Sequence, residues 1–169
     1  MRFVLLKELH ELVPGESVTA TQVFSPDDEY LADHFPGFPV VPGTLITEAL
    51  SQAGGWLIAA TLGFARWPLL NMVEKAKFRR FLRPGEELRI TARLEALRQG
   101  ARGSQARIAA EGRVGAERVA EARLLFHAFD PPDLLGGDAE KSAALIAFTR
   151  DVVRKLGGDA LLARRVTPP

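Results

Sequence analysis

A histidine and a glutamate fourteen residues apart, His34 and Glu48, are the side chains of this sequence best suited to moving protons. Glu48 is the one formally charged side chain between His34 and Ala65. A proline-punctuated run, His34-Phe35-Pro36-Gly37-Phe38-Pro39-Val40-Val41-Pro42-Gly43, carries the histidine, and the nearly apolar stretch after it carries the carboxylate. An ionised carboxylate in apolar surroundings is costly, so it takes a partner or shifts its pKa toward the neutral form. An imidazole with such a carboxyl supplies the base and the acid for chemistry on a greasy substrate. Taken singly, His34 also reads as a satisfied loop histidine and Glu48 as a partnered helix residue. Taken together, in this proline-glycine frame, they point to catalysis. His10 and His127 fall in predicted strands and read as structural.

These residues need elements to hold them. Residues 3–12 and 17–24 read as two strands joined by Val13-Pro14-Gly15-Glu16, a turn with Pro and Gly at its centre. A polar loop, Ser25 to Asp33, leads to His34. A helix is expected from about Gly43 to Leu62, with Pro42 suited to its start and Gly63 to its stop. It is apolar on most faces, so it is expected to be buried. Residues 69–80, 86–98, 104–114 and 117–129 read as four more strands, separated by Pro84-Gly85, the Gly100–Gly103 region and Gly115. The plan is α+β, a sheet wrapped around one helix, over residues 1–129. Asp130-Pro131-Pro132-Asp133 marks a boundary to a C-terminal helical extension, residues 130–169. There Asp138 can cap a helix of about residues 139–156 with Leu145, Phe148, Val152 and Leu156 on one stripe. This extension is expected to pack on the domain or on a second subunit, and nothing in it looks catalytic.

Composition narrows the function. A net charge of +1 offers no global field for nucleic acid. Without cysteine there is no disulfide, thiolate nucleophile or cysteine-based zinc site, and the three histidines lack metal-ligand spacing. No metal or organic cofactor is expected. The N-terminal apolar run is too short for a signal peptide, and polar residues and glycines interrupt the helix after Gly43. A soluble, cytoplasmic protein with no membrane partner is the expectation.

The segment from His34 to Gln52 closely resembles the signature of the 3-hydroxyacyl-[acyl-carrier-protein] dehydratases, the hot-dog-fold enzymes of type II fatty-acid synthesis. The histidine, both Pro-Gly steps, the Glu fourteen residues on and the Gln four further all match. A second block, Glu74 to Glu86, resembles the family's following strand and Pro-Gly turn, and the likeness covers about residues 3–129. It implies a hot-dog homodimer, or a higher homo-oligomer, that dehydrates (3R)-3-hydroxyacyl thioesters to trans-2-enoyl thioesters, with histidine and acid meeting across the dimer interface. By this resemblance His34 is the base and Glu48 the acid. The Gly43 N–H, at the helix N-terminus, is the donor to the thioester oxygen, where a free N–H and the helix dipole suit developing negative charge. A side chain at Gly43 would obstruct the acyl chain. The Val40 carbonyl resembles the acceptor for the other imidazole nitrogen, and Gln52 can orient the Glu48 carboxyl. Phe38, Leu45, Ala49 and Trp56 are expected to line part of an apolar acyl tunnel.

Lys75, Lys77, Arg79, Arg80 and Arg83, offset by Glu74, give a local +4 that suits docking of an acidic acyl carrier protein. A solvated strand face kept soluble by charge is the plainer reading. The chain departs from the family in its short leader, in Lys7-Glu8 where Asp-Arg is common, and in Asp33 before the histidine, which is usually Gly. A carboxylate at Asp33 would raise the His34 pKa. Three rivals stand beside the dehydratase: its isomerising branch, whose acid is typically Asp; a hot-dog thioesterase, which lacks the His34-Phe-Pro-Gly frame; and a non-catalytic acyl-binding subunit, which needs neither His34 nor Glu48.

Overall fold

The computed structural model describes residues 3–35, 37–101 and 103–163. Its elements run β1 (Glu8–Val13), β2 (Ser17–Val23), α1 (Glu29–Asp33), α2 (Gly43–Thr61), β3 (Trp67–Phe78), β4 (Glu87–Gly100), β5 (Gly103–Val114), β6 (Glu117–Phe129), α3 (Pro131–Leu134), α4 (Ala139–Lys155) and α5 (Gly158–Ala163). The strands form one antiparallel sheet in the order β1-β2-β4-β5-β6-β3. The sheet wraps α2, and this is the hot-dog architecture that the sequence implied.

α2 is the core. Its Ile46, Leu50, Leu57 and Ile58 are almost fully buried against Val18, Leu88, Ile90, Ile108 and Leu124 of the sheet. Burying a side chain of this size contributes about 1.5–3 kcal/mol. At Gly54 the helix comes so close that an added Cβ would stand 3.1 Å from Ile108 Cγ2. The helix stops as expected: Gly63 turns left-handed at φ +61°, its N–H donates to Ala60 O, and the Phe64 N–H donates to Ala59 O. This pair of bonds satisfies carbonyls that the last turn would otherwise leave open.

The two predicted Pro-Gly turns form as well. Glu16 N–H donates to Val13 O across Gly15, and Glu86 N–H donates to Arg83 O across Gly85. Residues 3–7 are not strand, although Lys7 N–H still bonds Thr21 O. Three short helices were not expected, among them α3 at the Asp130-Pro131-Pro132-Asp133 boundary. α1 lies in the polar loop, where Asp28 accepts from the Ser25 N–H and the Tyr30 hydroxyl, and α5 follows Gly157.

β3 occupies one edge of the sheet. Pro68 is tolerated within it because its other side has no strand partner among the described residues. Leu69, Leu70, Met72, Val73 and Phe78 are exposed along it. The extension, by contrast, is integrated with the domain. Val152, Val153 and Leu156 join the main hydrophobic cluster, the Leu9 N–H donates to Leu156 O, and Arg66 ties Asp130 to Ser104 and Gly100. Asp138 caps α4 by accepting from the Lys141 N–H, as predicted. No helix among the described residues is long and apolar enough to cross a membrane.

Candidate active site

His34 closes α1, and the loop after it is pinned from both ends. Phe35 adopts φ +55° and Gly37 φ +80°, and the Phe38 N–H donates to Phe35 O. Val40 and Val41 are buried, and the Val41 N–H donates to Leu82 O beyond β3. This anchoring holds the Val40 carbonyl 3.0 Å from His34 Nδ1. A carbonyl can only accept, so Nδ1 carries the proton of the neutral ring and Nε2 keeps its lone pair. His34 is half-buried in a cleft of about 210 Å³ together with Gly43, Ile46, Phe78, Phe81 and Leu82. Gly43 is the first residue of α2, so its N–H has no acceptor within the helix. A Cβ there would lie 3.0–3.2 Å from the Phe78 ring. The glycine therefore leaves room for Phe78, a local reason that differs from the expected clearance for substrate.

Glu48 is half-buried on the next turns of α2. Gln52 Nε2 donates to its Oε1 at 3.0 Å. The amide cannot flip, because Gln52 Oε1 accepts from the Leu5 N–H at 2.8 Å while Nε2 also donates to Phe3 O at 3.0 Å. With Oε1 engaged, a proton on the Glu48 carboxyl sits on Oε2.

A cleft of about 300 Å³ opens beside Glu48, walled by Ser51, Gln52, Gly55 and Trp56 of α2. Trp67 to Leu70 of β3, Phe126 of β6 and Phe148 of α4 complete it. Within one chain, His34 and Glu48 thus line separate clefts.

The expected tunnel residues divide. Trp56 lines the Glu48 cleft. Ala49 is fully buried, because one residue on from Glu48 the helix turns its side chain into the sheet core. Leu45 packs on that core, and exposed Phe38 meets Phe81 edge-on with ring centroids 5.8 Å apart. Neither lines the Glu48 cleft. Ser51 and Gly55, three and seven residues after Glu48, were legible from helical spacing; Trp67, Phe126 and Phe148 were not. The side chain of Asp33 lies outside the described residues, as do residues 164–169 of the extension.

The basic segment is largely paired. Lys75 and Arg79 share Glu121, whose carboxyl they hold down to about 2, Arg79 most strongly. Arg80, at the rim of the His34 cleft, is bonded to both Glu86 oxygens and to Glu117. The Arg80 guanidinium and the Arg83 N–H hold the Glu86 carboxyl below the usual carboxylate range. Exposed Lys77 makes no ion pair among the described residues. His10 and His127 stand apart from both clefts: His10 Nε2 lies 3.0 Å from Thr21 Oγ1, and His127 stacks on Phe129.

Comparison with known proteins bears on the family and the fold. The model of the FabA-like domain matches residues 1–123. A 3-hydroxyacyl-[acyl-carrier-protein] dehydratase FabZ from Chloroflexus aggregans is 36% identical over 130 residues, covering 76% of this chain and 88% of that protein. Among solved structures, the dehydratase heterocomplex ApeI:P from Xenorhabdus doucetiae superposes with a TM-score of 0.59 at 18% identity, over 79% of this chain and 88% of that one. The fluoroacetyl-CoA-specific thioesterase FlK superposes with a TM-score of 0.57 at 14% identity, over 73% and 99%. At such identities the structural likeness speaks to the fold alone, which both chemistries share.

Proposed function

This chain belongs to the FabA-like family of 3-hydroxyacyl-[acyl-carrier-protein] dehydratases, and from that premise we propose that it removes water from (3R)-3-hydroxyacyl thioesters at a site shared by two copies of the chain. One observation carries the reading: the two clefts lie at opposite ends of one edge strand, β3. The His34 cleft includes Phe78, the last residue of β3, and the Glu48 cleft includes Trp67 to Leu70, its start. A long apolar edge is a template for another strand. Two-fold pairing of β3 with its copy must be antiparallel, so the Phe78 end of one protomer meets the Trp67–Leu70 end of the other. Each His34 then faces a partner's Glu48, and a homodimer holds two sites.

The chemistry follows from the groups brought together. His34 Nε2 takes the C2 proton, the C2–H electrons form the C2–C3 double bond, and the C3–O bond breaks as Glu48 Oε2 delivers a proton to the departing hydroxyl. Water and a trans-2-enoyl thioester result. The thioester oxygen gains charge during proton removal, and the Gly43 N–H at the positive end of α2 is the donor that stabilises it. Val40 fixes the imidazole tautomer and Gln52 fixes the acid. No metal or organic cofactor is required by these steps. The acyl carrier protein docks on the segment Lys75, Lys77, Arg79, Arg80 and Arg83 beside the His34 cleft, and the protein works in the cytoplasm.

The test is hydration of crotonyl and longer trans-2-enoyl thioesters, followed by loss of the conjugated enoyl absorbance. Wild type should hydrate them, and His34→Ala and Glu48→Gln should each slow the reaction by about 10²–10⁴-fold with the fold intact. Release of free thiol would identify a thioesterase instead. No reaction with either carrier-protein or coenzyme A thioesters would leave a non-catalytic acyl-binding subunit.

A further inference from the structure

The Glu48 cleft follows one face of α2. Glu48, Ser51, Gln52, Gly55 and Trp56 recur at helical spacing, so its floor extends about 12 Å from the carboxylate toward the end of the helix. β3 starts just after that end, so Trp67 and Pro68 stand over the far part of the cleft. Gly55 keeps this part open, since a Cβ there would reach ordinary contact with Phe126 Cε1 at 3.9 Å and Pro68 Cγ at 4.0 Å.

Phe148 also lines the cleft and belongs to α4, beyond the residues that the FabA-like model matches. Its ring lies 6.2 Å from that of Trp67, centroid to centroid, at 38°. The helix carrying it is fastened on both sides of this contact. Arg150 sits 5.8 Å from the Phe64 ring centroid and donates to Gly63 O at 3.5 Å, both in the turn that ends α2. Val152 and Val153 are buried in the main core, and the Leu156 carbonyl accepts from the Leu9 N–H. An aromatic side chain held this firmly at the end of an apolar cleft is a wall.

We propose that Phe148 forms the far wall of the acyl site and sets the longest chain the enzyme accepts, a role that rests on the acyl-thioester reading above. The C-terminal extension is then a specificity element. Chains that stop short of Phe148 fill the cleft, and longer ones collide with a ring backed by Trp67.

The experiment uses the full chain and measures kcat/KM for hydration of trans-2-enoyl thioesters from crotonyl through decenoyl to hexadecenoyl. Wild type should show a length beyond which kcat/KM falls. Phe148→Ala should move that edge to longer chains, raising kcat/KM about fourfold for each methylene newly admitted. Phe148→Trp should move it to shorter chains, and Phe148→Leu should lie between wild type and Ala. Opposite shifts by smaller and larger side chains are not produced by a merely structural role. Variants that fold and turn over with the wild-type edge would overturn the wall while leaving the dehydratase reading in place. If Phe148→Ala does not fold, Leu and Trp still decide. A wild type that hydrates none of these thioesters would overturn the dehydratase reading itself, and the wall with it.

Discussion

If each site takes His34 from one protomer and Glu48 from the other, two dead variants should revive each other. His34→Ala and Glu48→Gln homodimers each lack one group in both sites and should run about 10²–10⁴-fold below wild type. In a mixed dimer the Glu48→Gln chain still brings His34 and the His34→Ala chain still brings Glu48. One of the two sites is then complete, and the other has lost both groups. Equal amounts re-associating at random make about half the dimers mixed, each with one working site, so activity per subunit should return to about one quarter of wild type. That is a rise of at least about 25-fold over either parent. The assay is crotonyl thioester hydration after the two variants are mixed under dissociating conditions and reassembled. Differently tagged variants that co-purify establish that subunits have exchanged. Exchanged subunits whose rate stays at the parental level would refute the shared site and place both groups in one chain.

Three further outcomes follow from contacts already described. Gln52→Ala removes the donor to Glu48 and strands the Leu5 N–H and Phe3 carbonyl; thermal unfolding should show a loss of about 1–3 kcal/mol, and kcat should fall more than KM rises. For carrier docking, added salt and Lys77→Glu should both raise KM for a carrier-bound substrate and leave a coenzyme A thioester unaffected; equal effects on the two would remove the docking surface. Glu86 has a lowered folded pKa, so its contribution to stability is present above the unfolded carboxylate value of about 4.3 and is lost as pH falls through the folded value. Glu86→Gln should therefore unfold at lower temperature than wild type at neutral pH, with the gap closing on acidification; a gap constant from pH 7 down to about pH 3 would contradict that.

How much of this was legible in the chain depends on the range over which each feature is decided. The α2 helix could be read because Pro42 and Gly63 punctuate a run whose residues are apolar on nearly every face. The turns at Gly15 and Gly85 could be read because their backbone signs demand glycine. α1 was hidden because Leu31 alone among its described side chains turns inward, and local bonds to Asp28, not hydrophobic periodicity, shape the approach to it. The site was legible as a motif but not as a cavity. Ala49 was expected in the wall of the tunnel that the resemblance implies, yet it stands one step after Glu48, and one step along a helix rotates a side chain by about 100°. Leu69, Leu70, Met72 and Val73 show that β3 wants cover; the sequence does not say that it lies at the sheet edge. Phe148 was visible as part of an apolar stripe on α4. Its meeting with Trp67 joins segments with no local signal in common.

The hydrogen bonds around Gln52 have a consequence for how the enzyme would fail. Its amide is held on one side by Glu48 and on the other by the backbone of Phe3 and Leu5. Those two residues lie outside the strands, and segments without a strand ladder open at lower free energy than core strands. Fraying of that segment releases Gln52, and the carboxyl loses its aim while the sheet around α2 is still closed. Loss of turnover on warming should therefore run ahead of global unfolding. The exchange rate of the Leu5 amide hydrogen would then report how often the clamp that holds Gln52 against Glu48 is open.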